Sequence, residues 1–279
     1  MAIETLDALI DALGNTFSNI QIDKASFTST AAAGQYHSGW RATGQPGQGA
    51  IPTTAAVPDN ETTGAINFTQ QTAPAKSYWA GGDFMAGTGG TTIEIHDRLA
   101  HMGGLSGTVA TAQTVDLDLN ALTANNVVAR RGAANYSDVQ WWLEWYADTG
   151  GTAVTATVNV TYNDGTSGNL TAVSLAATRR GTFLQPLNNL IPAADSGKFI
   201  RDVNTVTLSA TTGTAGNFGV TATRRITGLY CPIANQVFSQ DWATAKMPEV
   251  VNEACLFPII LANGTTAGAV KVAGKVIHG

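Results

Sequence analysis

The stretch Asp138-Val139-Gln140-Trp141-Trp142-Leu143-Glu144-Trp145-Tyr146 sets Val139, Trp141, Leu143 and Trp145 in alternation with Gln140, Trp142, Glu144 and Tyr146. A period of two sends successive side chains to opposite faces of a strand, and here both faces carry large rings that need cover. Asp148-Thr149-Gly150-Gly151 then supplies residues suited to a tight reversal. Ala153 to Tyr162 alternates again, with Val154, Ala156, Val158 and Val160 on one face and mostly Thr and Asn on the other. Asn163-Asp164-Gly165 is a hairpin turn by composition, and Leu170 to Leu175 reads as a third strand. The stretch Asp138 to Leu175 therefore predicts a meander of antiparallel strands.

On either side of this stretch, Thr91 to Ile95, pieces of Thr108 to Leu119, Val203 to Ala210, Phe218 to Ile226, Leu229 to Ile233 and Leu256 to Leu261 have strand length and pattern. Val203 to Ala210 and Phe218 to Ile226 are expected to pair through the Gly-bearing turn at Thr212 to Asn217. Short strands separated by such turns indicate a mainly β protein with a β-sandwich or jelly-roll-like body, or a partly closed barrel. In the tail, Val270, Val272 and Val276 alternate, as expected of an edge strand or an exchanged arm.

At the amino terminus, Ile3, Leu6, Ile10, Leu13 and Phe17 recur at steps of three and four, predicting a helix with acids on its other side and a stop at Gly14-Asn15. Such a short helix must dock on something, either its own domain or a neighbouring subunit. From Ser26 to Gly90 the chain is rich in Thr, Ala, Gly, Gln and Pro, with four of its nine prolines (Pro46, Pro52, Pro58, Pro74). The expected organisation is an N-terminal helix over 1–24, an extended Thr/Gly/Pro-rich arm over 25–90, and a β-sandwich, jelly-roll-like domain over 91–279.

Charged residues make up 13% of the 279, and the formal net charge is −5. A surface so poor in charge suits a protein covered by neighbours, and the balance argues against a nucleic-acid partner. Met1 to Gly14 has no basic residue, unlike a secretory signal, and no apolar run approaches the ~20 residues that span a bilayer. The expectation is a soluble protein made in a cytosol, with no membrane partner. Cys231 and Cys255 are too few for a disulfide framework and read as buried thiols.

Residues patterned for chemistry are sparse. His96-Asp97-Arg98-Leu99-Ala100-His101 gathers the one local set of metal-ligand types, at a spacing that shares no face well and without a further His or Cys nearby. Structural hydrogen bonds to Asp97 and from Arg98 are expected instead, with a histidine packed against an aromatic ring. There is no G-x-S-x-G elbow, H-E-x-x-H, phosphate loop or dinucleotide fingerprint, and Gly87-Thr88-Gly89-Gly90 lacks the lysine and helix of a phosphate loop. No catalytic, cofactor-binding or metal residues are nominated, and no cofactor. The pairs Arg130-Arg131, Arg179-Arg180 and Arg224-Arg225 read either as a solvated face with local salt bridges or as interfacial partners for carboxylates of another subunit. Trp141, Trp142, Trp145 and Tyr146 could stack sugars or bases; a core on one side and a second layer or subunit on the other explains them without a ligand.

The segment Ile95-His96-Asp97-Arg98-Leu99-Ala100-His101-Met102-Gly103-Gly104-Leu105-Ser106-Gly107-Thr108, with Thr111-Ala112-Gln113-Thr114-Val115, Trp142-Leu143-Glu144-Trp145-Tyr146 and the Val154 to Tyr162 strand, resembles virion structural proteins of tailed bacteriophages. The resemblance spans Ile95 to Leu175 and carries no catalytic residues. It implies a non-enzymatic protein assembled into a virion, foremost a capsid decoration or cement subunit. Its partners would be the major capsid protein and copies of itself in a homo-oligomer, a trimer favoured. A neck or tail component and a carbohydrate-binding module of a receptor-binding protein are the alternatives.

Overall fold

The computed structural model describes residues 3–27, 33–175, 178–264 and 268–279. Residues 1–2 of the expected helical segment, 28–32 of the expected arm, and 176–177 and 265–267 of the expected C-terminal domain lie outside them. In chain order, α1 (Leu6–Asn15) precedes β1 (Phe17–Ser26), β2 (Gln35–Ser38), β3 (Thr43–Gln45), β4 (Ser77–Ala86) and β5 (Thr91–Leu105). Next come β6 (Gln113–Asp118), the single turn α2 (Val127–Arg130), β7 (Val139–Ala147), β8 (Val154–Tyr162), β9 (Ser167–Asn169), β10 (Val173–Leu175), β11 (Phe183–Pro186) and β12 (Ile200–Leu208). Then follow β13 (Asn217–Cys231), β14 (Val237–Gln240), the single turn α3 (Trp242–Ala245), β15 (Glu249–Val250), β16 (Leu256–Ala262) and β17 (Val270–His278). The protein is mainly β, in antiparallel sheets of the sandwich, jelly-roll-like class, with a short N-terminal helix, as the alternating runs predict.

The chain forms two compact units, one of residues 1–49, 59–97 and 225–279, the other of 50–58 and 98–224. In the first unit, one sheet runs β14-β4-β17-β1-β3, with β15 also on β4, and a second set joins β2, β16, the start of β5 and the end of β13. Ile20, Ile22, Trp79, Phe84, Val272 and Val276 of the first sheet share a buried cluster with Ile93, Ile95, Ile226, Leu256 and Ile260 of the second. Burying two apolar sheet faces against each other is what a period-two pattern achieves. The arm's Trp40, Trp79 and Phe84 are fully buried.

β17, expected at an edge or in an exchanged arm, is instead central: it pairs with β4 on one side and β1 on the other. Alternation places Val270, Val272 and Val276 on a buried face but carries no information on how many neighbours the backbone has. Gly274 shows how tight the packing is, because a Cβ there would lie 2.3 Å from the Trp79 ring.

In the second unit, β10-β8-β12-β6 packs on a sheet formed by β11, β7 and the parts of β13 and β5 that belong to this unit. The core between them holds Trp141, Leu143, Trp145, Phe218 and Val220 from one side and Val158, Val160, Val206 and Leu117 from the other. Trp145 stacks on Phe218 with ring centroids 5.4 Å apart. β8, β9 and β10 form the predicted hairpin around Gly165, where φ is 85°.

Two expected hairpins do not form. β7 pairs with β13 and β11, whereas β8 pairs with β12, β9 and β10, so the turn at Asp148 to Thr152 passes from one sheet to the other. Likewise β12 lies in β8's sheet and β13 in β7's. Alternation decides which faces of these strands are buried, whereas their backbone edges pair independently of it. A Gly-rich turn permits a reversal without dictating which strand lies next to it.

On β12, Asp202 faces Asp118 of β6 as its cross-strand partner, with Oδ1 buried and without a hydrogen bond. Burial, then the neighbouring Asp118 charge, pushes its pKa up to about 6. The folded state therefore holds a proton that the unfolded chain releases above pH 4, and this group's contribution to stability declines as pH rises through 4 to 6. Asp202→Asn is expected to stabilise the protein by about 1–3 kcal/mol at pH 8 and by little at pH 4. Urea titrations at the two pH values check this; an equal shift at both would remove the carboxylate's charge as the cause.

Candidate interaction surface

The residues singled out by chemistry become structural. Asp97 Oδ1 accepts the Cys255 N–H at 2.8 Å, and His96 Nε2 lies 2.9 Å from Glu94 Oε2 with its ring edge-on to Phe257. Arg98, fully buried, donates from Nη2 to Glu144 Oε1 at 2.7 Å and from Nη1 to Thr221 Oγ1 at 3.1 Å, and lies 3.0 Å from His101 Nδ1. Glu144 Oε2 also accepts from the Tyr146 and Thr221 hydroxyls. Among the described residues, no group of three or more His, Cys, Asp or Glu side chains is placed to hold a metal ion. Cys231 and Cys255 are buried, free thiols. No helix among the described residues is long and apolar enough to cross a membrane.

The arginine pairs are largely spent within the chain. Arg130, fully buried, donates to the carbonyls of Pro58, Asn125 and Arg98. Arg131 lies over the Tyr136 ring and Arg179 over Phe183. Arg180 pairs with Asp148, and Arg225 with Glu94. Trp141, Trp142 and Trp145 are at most 4% exposed. The outer face of β7 is thus closed by Arg98, Thr221 and Thr223 of its own unit, with Trp142 Nε1 donating to Thr223 Oγ1 at 2.9 Å. Sequence reasoning also missed a chain of side chains at the C-terminus: His278 lies 2.8 Å from Ser18 Oγ by Nε2 and 2.9 Å from Ser77 Oγ by Nδ1. Ser18 Oγ already accepts the Thr69 N–H at 2.9 Å, so the three residues fasten β17 to β1 and β4.

What remains open lies mainly on the first unit. In α1 the Thr5 hydroxyl caps the helix by accepting from Ala8 N. Leu9 and Ala12 turn inward against Ala80 and Ile277, with Ile3, Leu13 and Phe17 alongside. Leu6 and Ile10, expected on the docked stripe, are 64% and 59% exposed. At 100° per residue, positions 6 and 10 form a second ridge beside the docked positions 9 and 12, so the helix is apolar on two faces while its own unit covers one. A groove of about 370 Å³ beside this ridge is lined by Ile3, Leu6, Leu9, Tyr78 and Met247. Tyr230, Ile233 and Val237 add exposed apolar area on the same unit.

A second groove, of about 410 Å³, lies on the solvent face of the β4-β17-β1 sheet. Ala273 stands in register between Gln21 of β1 and Asp83 of β4, and Lys275 between Asn19 and Gly81. Small residues at Ala273 and Gly81 lower the floor between these polar neighbours. Leu13 and Trp242, the latter 42% exposed, stand on the rim.

No protein-family model matches the chain, and no curated protein matches it. Among solved structures, it is similar to the VP2 subviral particle protein of infectious bursal disease virus, at 11% identity over 94% of this chain and 79% of that one, TM-score 0.18. The Gt strain of the same virus matches at 11% identity over 95% and 81%, TM-score 0.19. Its derived T=1 particles match at 12% identity over 95% and 78%, TM-score 0.16. Superpositions this poor carry no functional argument.

Proposed function

We propose that the chain is a non-enzymatic structural subunit of a virion, a decoration or cement protein that stabilises a head by bridging neighbouring capsid subunits. The observation that carries this reading is the second apolar ridge of α1, Leu6 and Ile10, which its own unit leaves in water. Burying such side chains is worth about 1.5–3 kcal/mol each, so their exposure in the free chain suits a surface covered on assembly. Low charge and the resemblance to tailed-bacteriophage virion proteins support the same reading. A subunit that binds only the assembled shell stabilises it by mass action.

One short ridge is smaller than the ~800 Å² per partner of a stable interface. Several copies acting together make up the difference by avidity, and a homotrimer at a local threefold position of the capsid lattice is the arrangement that provides this. The partners are then the major capsid protein and copies of the chain itself. Electron cryomicroscopy of particles bearing the chain tests the location; density at a tail tip alone would replace this reading with that of a tail component. Leu6→Asp with Ile10→Asp is expected to leave thermal stability nearly unchanged, since both sites are exposed. The pair weakens co-sedimentation with the particle about a hundredfold or more. Unchanged attachment would refute the helix's role.

A further inference from the structure

We infer that the groove over the β4-β17-β1 sheet is a binding site for a neutral oligosaccharide, with Trp242 as its stacking platform. A pyranose presents one face of C–H groups and a rim of hydroxyls, so a site for it combines an exposed ring with planar amides that donate and accept and carboxylates that accept. The groove has these parts. Trp242 is the exposed indole on the rim: the other five tryptophans, Trp40, Trp79, Trp141, Trp142 and Trp145, are at most 4% exposed. Across the floor, Gln21 and Asp83 flank Ala273 in one row of the sheet, and Asn19 precedes Lys275 in the next. The amides of Asn19 and Gln21 are exposed and make no side-chain hydrogen bond among the described residues, leaving donors and acceptors for hydroxyl groups.

The remaining groups are held in place by the fold. Asp83, which lines the groove, accepts from Ser239 Oγ at Oδ1 at 2.5 Å, which holds that carboxylate in place. Asp241 Oδ1 accepts from Thr244 N in the α3 capping box, immediately before Trp242. Lys275 Nζ donates to the Leu13 carbonyl at 2.8 Å and lies 3.9 Å from the centre of the Phe17 ring, so the groove's cation is engaged. Two carboxylates against one tethered ammonium disfavour phosphate, sulfate or a sialic acid, and select a neutral ligand. A groove of about 410 Å³ fits a segment of a chain or a terminal disaccharide.

Intrinsic fluorescence gives the test, because Trp242 is the indole that water and ligand reach. The full-length protein is titrated into the millimolar range with cellohexaose, maltohexaose, xylohexaose, mannohexaose and N-acetylchitohexaose, and with sialyllactose as the acidic comparison. At least one neutral hexasaccharide is expected to give a saturable shift of the emission. Trp242→Ala, at an exposed site, should weaken that sugar about tenfold or more by calorimetry, and Gln21→Ala about threefold, with melting temperatures unchanged. Absence of saturation by every neutral sugar, binding equally tight in Trp242→Ala, or binding of sialyllactose alone would overturn the proposal. Loss of particle attachment in the Leu6/Ile10 variant with sugar binding intact would show that the two surfaces act separately.

Discussion

Arg98→Met is expected to destabilise the protein by about 3–5 kcal/mol, the largest effect of any single substitution considered. The guanidinium and its partner Glu144 are both at most 1% exposed, and the pair is closed at 2.7 Å. Removing the cation leaves a carboxylate surrounded by the Tyr146 and Thr221 hydroxyls with no compensating charge. Burial and then the Glu144 charge already push the Tyr146 phenol far above its ordinary value, a sign of how poorly this pocket tolerates a second anion. The desolvated carboxylate of the variant will take up a proton, so the loss shrinks as pH falls toward 5. Arg98→Met with Glu144→Leu should recover all but about 1–2 kcal/mol, because replacing a buried ion pair by apolar groups of similar volume costs little. Urea unfolding of the two single variants and the double variant measures the coupling; additive losses would mean that the pair does not act as a pair.

Acid lability is the second large effect. All four histidines, His37, His96, His101 and His278, are at most 4% exposed, and burial lowers the pKa of each. For His37 the value falls to about 4. At His101 the Arg98 charge adds to burial. A base whose folded pKa lies below its unfolded value of ~6.5 binds its proton more readily in the unfolded chain. The stability these groups contribute is complete above pH 6.5 and is lost as pH falls toward and through the folded value. His37 alone accounts for a loss of roughly 3 kcal/mol between pH 6.5 and 4. Asp202, whose pKa is raised, offsets part of this over the same range. Denaturant midpoints measured from pH 7 to pH 4 should therefore drop steadily from about 6.5 downward. His37→Gln should flatten the curve, and a midpoint constant to pH 4.5 would contradict the assignment.

Much of the fold was legible in residue order. Val139, Trp141, Leu143 and Trp145 could be assigned to one face of a strand because side-chain direction alternates whatever the neighbours are. The hairpin at Asn163-Asp164-Gly165 was equally local, since its residues supply both the positive φ of Gly165 and the Asp164 carboxylate that accepts from Thr166 N. Pairing was not legible. Asp148 to Thr152 has the composition of a hairpin turn and joins strands of opposite sheets; Val270 to His278 has the length of a terminal strand and lies between two others. Neither amino-acid type nor spacing encodes which backbone edge is free.

The same division runs through the surface. A β protein with a short amphipathic helix, few charges and no compact catalytic motif follows from residue order, because those are properties of composition and of near neighbours along the chain. Which aromatics face water depends on the folded chain. It buried the four tryptophan and tyrosine residues of β7, whose outer face Arg98 and Thr221 close, and it left Trp242, Leu6 and Ile10 outside. Exposure depends on what long-range packing brings over each side chain: a ring in a strongly patterned strand ends in the core, while one in a single helical turn stays at the rim of a groove.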